Sequence, residues 1–177
     1  MKKSFFVASL LTLSTSAFAI DGTIQFTGAF TDSPCKININ GANTNGTSTA
    51  GVSLDTWNVA NFTGNVGTTT DLKAITISLS NCPSKALANI QFNGAVDAKN
   101  PSLFAIQSGA SSATDVGIAL YSSSNTADII APNTRSISIP LTESAGEQQI
   151  YASYMTTGAN VGKGNANADV TIDIAYE

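Results

Sequence analysis

The chain has no histidine among its 177 residues and only two cysteines. Without an imidazole, the usual general base for a serine or cysteine nucleophile is missing, and so is the commonest companion of cysteine at zinc. Two sulfurs with no imidazole nearby also offer no route to a low-pKa, reactive thiol. Charged residues make up only 11% of the sequence and aromatics 7%. The basic residues are scattered, so nothing in the chain attracts a nucleic acid or an anionic membrane surface. No apolar run is long enough to cross a bilayer, which argues against direct membrane insertion. The nearest same-face carboxylates, Asp169 and Asp173, would lie about 13 Å apart along one strand, beyond either glycosidase spacing. They read as solvent-facing charges that discourage stray edge pairing. Catalysis, a metal and a cofactor are all set aside on these grounds.

What is present begins with Lys2 and Lys3, an apolar run from Phe5 to Leu13, and Ala17-Phe18-Ala19. That order predicts a secretory signal peptide over 1–19, cleaved before Ile20. The remainder has the size of one domain with a single core. Without Lys2 and Lys3 it carries 6 basic and 12 acidic residues, a formal charge of −6. In an exported chain, an even pair of cysteines predicts one disulfide, Cys35 with Cys82. Closing a loop of that length restricts the unfolded chain by about 4 kcal/mol on the chain-entropy model.

Short runs rich in Ile, Val, Thr, Phe and Tyr recur between clusters of Gly, Asn, Ser and Pro. Strands are predicted near Cys35–Ile39, Leu72–Ser80, Ala88–Asn93, Gly117–Tyr121, Ile137–Leu141, Ile150–Thr156 and Ala168–Tyr176. Ile75, Ile77 and Leu79 alternate with Thr76, Ser78 and Ser80, the pattern of a sheet with one buried face. No stretch after the leader has sustained helical periodicity, so the class is all-β, a sandwich. The segments Gly41–Thr47 and Gly64–Thr70 read as surface connections. Trp57, between them, is expected to anchor the core rather than to serve as a sugar platform. The tripeptides Asn45-Gly46-Thr47 and Asn61-Phe62-Thr63 match glycosylation acceptors, a pattern too common in an Asn- and Thr-rich chain to carry weight.

The two ends carry the functional signal. At the last strand, Ala168, Val170, Ile172, Ile174 and Tyr176 alternate with Asp169, Thr171, Asp173 and Glu177, predicting a half-buried strand whose next neighbour comes from elsewhere. Such an edge recruits a strand from another chain. Near the start, Gly22, Ile24, Phe26, Gly28 and Phe30 alternate with Thr23, Gln25, Thr27 and Thr31, a strand placed before the first cysteine. Glycine within a strand marks close approach of another backbone. Because the donating and accepting surfaces differ, copies would join head-to-tail into a filament.

These residues resemble the pilin subunits of chaperone–usher fimbriae of the type 1 and F17-like kind. Gly22-Thr23-Ile24-Gln25-Phe26-Thr27-Gly28 is similar to the family's donor strand, and Cys35 and Cys82 to its disulfide. The stretch from Gly164 to Glu177 is similar to its closing motif, with glycine fourteenth from the end and tyrosine penultimate. Asn100, Leu103 and Ala113–Ile118 resemble its middle.

The resemblance implies an incomplete immunoglobulin-like sandwich over 34–177 that lacks its seventh strand, preceded by a donor extension over 20–33. It implies a groove and chaperone-binding strand built from Gly164, Ala168, Val170, Ile172, Ile174, Tyr176 and Glu177. A periplasmic chaperone would lend a strand to that groove and hold the Glu177 carboxylate. At an outer-membrane usher, the extension of the next subunit would replace the chaperone strand. Gly28 would fill a shallow pocket, and Ile24, Phe26 and Phe30 deeper ones. The product would be a fimbrium on the cell surface, with this chain a shaft or adaptor subunit that contributes to adhesion. The competing reading is a secreted carbohydrate-binding β-sandwich, which would need a surface array of aromatic and polar groups. Tyr121, Tyr151, Tyr154 and Phe92 fall instead mostly at alternating strand positions, as core residues do.

Overall fold

The computed structural model describes residues 35–44, 49–62, 64–85 and 87–177, the side chains at 135 and 136 excepted. The expected leader and the expected donor positions Gly22, Ile24, Phe26, Gly28 and Phe30 lie outside the described residues. Ten strands follow in order: β1 Lys36–Ile39, β2 Ala42–Asn43, β3 Lys73–Ser80, β4 Leu87–Asn93, β5 Phe104–Ala105, β6 Val116–Tyr121, β7 Ile129–Ile130, β8 Thr134–Pro140, β9 Gly146–Thr156 and β10 Thr171–Tyr176. A single 3-10 turn, Val59–Asn61, is the only helical element among the described residues. The larger sheet runs β2-β1-β3-β9-β6-β5, with β7 also on β6, and the smaller runs β10-β4-β8. All strand pairs are antiparallel.

Alternation places Ile75, Ile77 and Leu79 of β3 and Ile150 and Ala152 of β9 against Ala88, Ile90 and Phe92 of β4 and Ile139 of β8. These inward faces form the core between the two sheets. The disulfide joins Cys35, just before β1, to Cys82, just after β3, with Cα atoms 4.2 Å apart. It staples one end of the β1–β3 pair, where Lys36 faces Ser80.

Each strand predicted from Cys35 onward is found, with its ends moved by a few residues. The last begins at Thr171 rather than Ala168, although Ala168 and Val170 remain half-buried ahead of the ladder. The strands missed, β2, β5 and β7, have two residues each, too short for a period-2 pattern to register. One of them overturns part of the loop reading. Asn40 and Gly41, with φ of 50° and 85°, form a two-residue turn that sets Ile39 opposite Ala42. That is the geometry a type I′ hairpin requires and an Asn-Gly pair adopts readily.

The expectation of one buried face holds for β3 and fails farther along the sheet. Leu103, Ala119, Tyr121 and Met155 form a second buried cluster, with Leu72 and Tyr151 packed against it. Ala119 and Tyr121 have the opposite strand parity to Leu120, which lies in the main core, so β6 is buried on both sides. Thr69, bridged to Met155, and Leu103, 3.1 Å from where a Cβ on Gly117 would sit, help to cover this outer face.

Candidate functional site: the open side of the last strand

Strand β10 pairs with β4 from Thr171 opposite Asn93 to Tyr176 opposite Ala88. Just beyond it, Glu177 and Leu87 exchange two backbone hydrogen bonds of 3.0 Å each. In an antiparallel ladder a residue's N–H and C=O point the same way and alternate along the strand. Thr171, Asp173 and Ala175 therefore turn their backbone groups to β4. Ile172, Ile174 and Tyr176 turn theirs to the other side, where no described strand lies. The same three side chains are half-buried against the core, whereas Thr171, Asp173 and Ala175 are exposed. One set of residues thus presents both apolar side chains and unpaired backbone groups along this edge.

A channel opens there. Its first section, about 180 Å³, has Val170 and Ile172 on one wall, Val52 and Leu54 on another, and Ile77 and Phe92 among the residues beneath. Val52 and Leu54 pack on the core although residues 50–54 belong to no strand. Among the described residues, no backbone hydrogen bond joins 50–54 to a strand. The channel therefore has a second wall whose backbone is paired to no described strand, the Leu54 carbonyl being taken by the Trp57 indole. The sequence reading missed this wall: its signal, apolar-polar-apolar over Val52-Ser53-Leu54, is shorter than any strand template.

Beyond it lies a larger cavity, about 400 Å³, lined by Asp55, Trp57, Phe62, Tyr154 and the segment from Val161 to Asn167. Trp57 belongs to neither buried cluster. This corrects the expectation of a core anchor: the indole is half-buried at the cavity wall, edge-on to Phe62 at a centroid distance of 6.0 Å. Its Nε1–H donates to the Leu54 carbonyl at 2.7 Å, and the Tyr154 hydroxyl donates to the Ala166 carbonyl at 2.9 Å. Burial pushes the Tyr154 phenol pKa above its ordinary value.

Gly164 is not on β10; it lines the larger cavity. A Cβ on Gly164 would sit 2.3 Å from the Ser112 carbonyl carbon, closer than real atoms approach. The close crossing is held by Asn165 N–H donating to the Ser111 carbonyl at 2.7 Å and Ala113 N–H donating to the Asn165 carbonyl at 2.9 Å. Ala168 lines the first section of the channel, leading into β10. At the other end of the strand, the Tyr176 hydroxyl accepts a hydrogen bond from Cys35 N–H at 3.3 Å, and Glu177 is exposed. Asp169 and Asp173 face solvent and accept side-chain hydrogen bonds from Gln107 and Asn93 at 2.8 and 2.7 Å.

Comparison with known proteins gives this geometry a family. The family model described as "Fimbrial protein" matches residues 24–177. The probable major fimbrial subunit LpfA of Escherichia coli O157:H7 is 34% identical over 100% of this chain and 98% of its own length. Long polar fimbria protein A of Salmonella typhimurium is also 34% identical, again over 100% of this chain and 98% of its own. Among solved structures, an antigen and type I fimbria protein of Burkholderia pseudomallei is 31% identical with a TM-score of 0.56, covering 82% of this chain and 91% of that one. The P pilus rod subunit PapA, only 12% identical, shares the fold at a TM-score of 0.61 over 82% of this chain and 100% of its own. The chain belongs to the fimbrial protein family, and its domain is an all-β, incomplete immunoglobulin-like pilin sandwich.

Proposed function

We propose that the chain is a structural subunit of an adhesive fimbria that polymerises by strand donation. The extension over 20–33 of one copy enters the channel beside β10 of the next and completes its fold. A periplasmic chaperone holds the channel open for exchange by lending a strand first, and an outer-membrane usher is where the extension replaces it. The finished fibre stands on the bacterial surface.

The observation that carries this reading is the edge of β10: Ile172, Ile174 and Tyr176 turn unpaired backbone groups away from β4, and at Ile172 that side opens on a channel floored by buried side chains of both sheets. An added strand gains main-chain hydrogen bonds from β10, while its alternate side chains fill apolar space. Ile24, Phe26 and Phe30 suit the deeper places and Gly28 a shallow one. The carbohydrate-binding alternative gains no support from the aromatic cavity, because the polar tips of Trp57 and Tyr154 are already committed to backbone carbonyls.

The deciding experiment deletes residues 20–31 from the mature chain. Such a subunit should still bind a synthetic peptide of residues 20–33 and should form no fibres of its own. Fibres of normal length from the deletion variant, or no uptake of the peptide, would refute strand donation.

A further inference from the structure

Two Asn-Gly pairs lie among the described residues, Asn40-Gly41 and Asn93-Gly94. Such a pair can lose ammonia unaided, by attack of the glycine's backbone nitrogen on the asparagine's side-chain carbonyl carbon. Glycine, with no Cβ, neither shields that nitrogen nor restricts the backbone rotation that brings it there. The fold holds the two pairs in opposite ways.

At Asn93-Gly94 every group the attack needs is already engaged. Asn93 Nδ2 donates to the Asp173 carboxylate at 2.7 Å, and Oδ1 accepts from Gln91 Nε2 at 2.7 Å. The Gly94 N–H donates to Asn133 Oδ1 at 3.1 Å. A Cβ on Gly94 would sit 2.8 Å from the Phe104 ring, so the backbone there has no room to turn.

At Asn40-Gly41 only the amide oxygen is held. It accepts the Thr76 N–H of β3 at 2.8 Å. A donor on that oxygen draws electron density from Cγ and stabilises the oxyanion formed on attack. No described residue takes the Asn40 Nδ2, which has to leave, or the Gly41 N–H, which has to react. Both residues are exposed, and an added Cβ on Gly41 would meet nothing within 4 Å. The turn is closed on one side by β2, an exposed strand of two residues, so local opening there costs little.

We propose that Asn40 is a site of spontaneous deamidation in the folded chain, while native contacts protect Asn93. The bond from Gly41 N to Asn40 Cγ forms as the Cγ–Nδ2 bond breaks, and the Gly41 proton leaves with Nδ2 as ammonia. Water then opens the cyclic imide at either carbonyl, leaving aspartate or isoaspartate at position 40 with no change in oxidation state. Either product puts a negative charge on the turn between β1 and β2, and isoaspartate also adds a carbon to its backbone. Ile39, one residue earlier, lines the first section of the channel, so the change falls beside its wall.

The test incubates the mature chain in mildly alkaline buffer, folded and in concentrated urea. Proteolytic digestion and mass spectrometry then follow the acid products of both Asn-Gly peptides, with isoaspartate separated by chromatography. The readout is covalent, so it is the same whether the chain is monomeric or polymerised. In the folded chain the Asn40 peptide should convert at least about 10-fold faster than the Asn93 peptide, as expected when one site opens locally and the other is held by native contacts. In urea those contacts are gone, and the two rates should agree within about 3-fold. Equal conversion of the two sites in the folded chain, faster conversion at Asn93, or a 10-fold difference that persists in urea at about the same size would each overturn the assignment.

Discussion

The hydroxyl of Tyr176 accepts a hydrogen bond from the backbone N–H of Cys35 at 3.3 Å, linking residues 141 apart in sequence. This one contact ties the last strand of the small sheet to the disulfide that anchors the large one.

Replacing Tyr176 with Phe keeps the ring packed on the core and removes only the hydroxyl. The loss should be about 1 kcal/mol, the net worth of one hydrogen bond. Tyr176→Ala, which also withdraws the ring, should cost more. Urea unfolding of the chaperone-free mature chain at a concentration too low for polymerisation measures both.

At Gly164 any side chain meets the backbone of 112–113 at under 2.5 Å. Gly164→Ala should therefore cost about 2–4 kcal/mol, the range for overpacking against atoms that cannot rotate away. Gly51, where an added Cβ would have nothing within 4 Å, is the control, and Gly51→Ala should stay within about 0.5 kcal/mol of wild type. Equal effects at the two sites would contradict the close crossing.

The turn between β8 and β9 carries Glu143 and Ser144 at φ of 52° and 63°, a left-handed pair without glycine. Asn and Gly suit such a turn far better. Exchanging Glu143→Asn and Ser144→Gly together should stabilise the domain by about 1–2 kcal/mol, given the cost of left-handed backbone for ordinary residues. A rise in thermal midpoint by calorimetry is the expected result, and an unchanged or lower midpoint would argue against this backbone geometry.

Burial raises the phenol pKa of Tyr154, and of Tyr121, where burial outweighs an opposing hydrogen bond from Ser153. A group whose folded pKa is raised above the unfolded value contributes stability fully below the unfolded value and loses it as pH rises through the folded one. Stability should therefore hold up to near pH 10, the unperturbed value, and decline above it. Tyr154→Phe should flatten part of that decline in an unfolding series across the alkaline range.

Reduction of Cys35–Cys82 removes the staple at the end of β1 and β3. The domain should lose about 2–5 kcal/mol, as small exported domains do. Denaturant titration with and without a reductant tests this, and Cys35→Ser should reproduce the reduced state.

Much of the fold was legible because a strand's alternation is a local property. Ile75, Ile77 and Leu79 declare a buried face by their spacing alone, and so do Ile172, Ile174 and Tyr176. The two cysteines declare their pairing, since each has no other candidate. The second wall of the channel was not legible: Val52 and Leu54 become a wall only because the segment between two turn-rich stretches lies against the core. Trp57 was misplaced for a related reason, since its neighbour Phe62 and the Tyr154 that lines the same cavity are set by the tertiary arrangement.

By itself, the sequence determined the strand class, the disulfide and the two alternating segments at its ends, because each follows from side-chain spacing or residue chemistry along a few neighbouring positions. Tertiary structure alone decided which backbone groups of β10 stay unpaired, what stands across from them, and why Gly164 tolerates no side chain. Those depend on contacts between segments tens of residues apart, which periodicity along one strand does not encode.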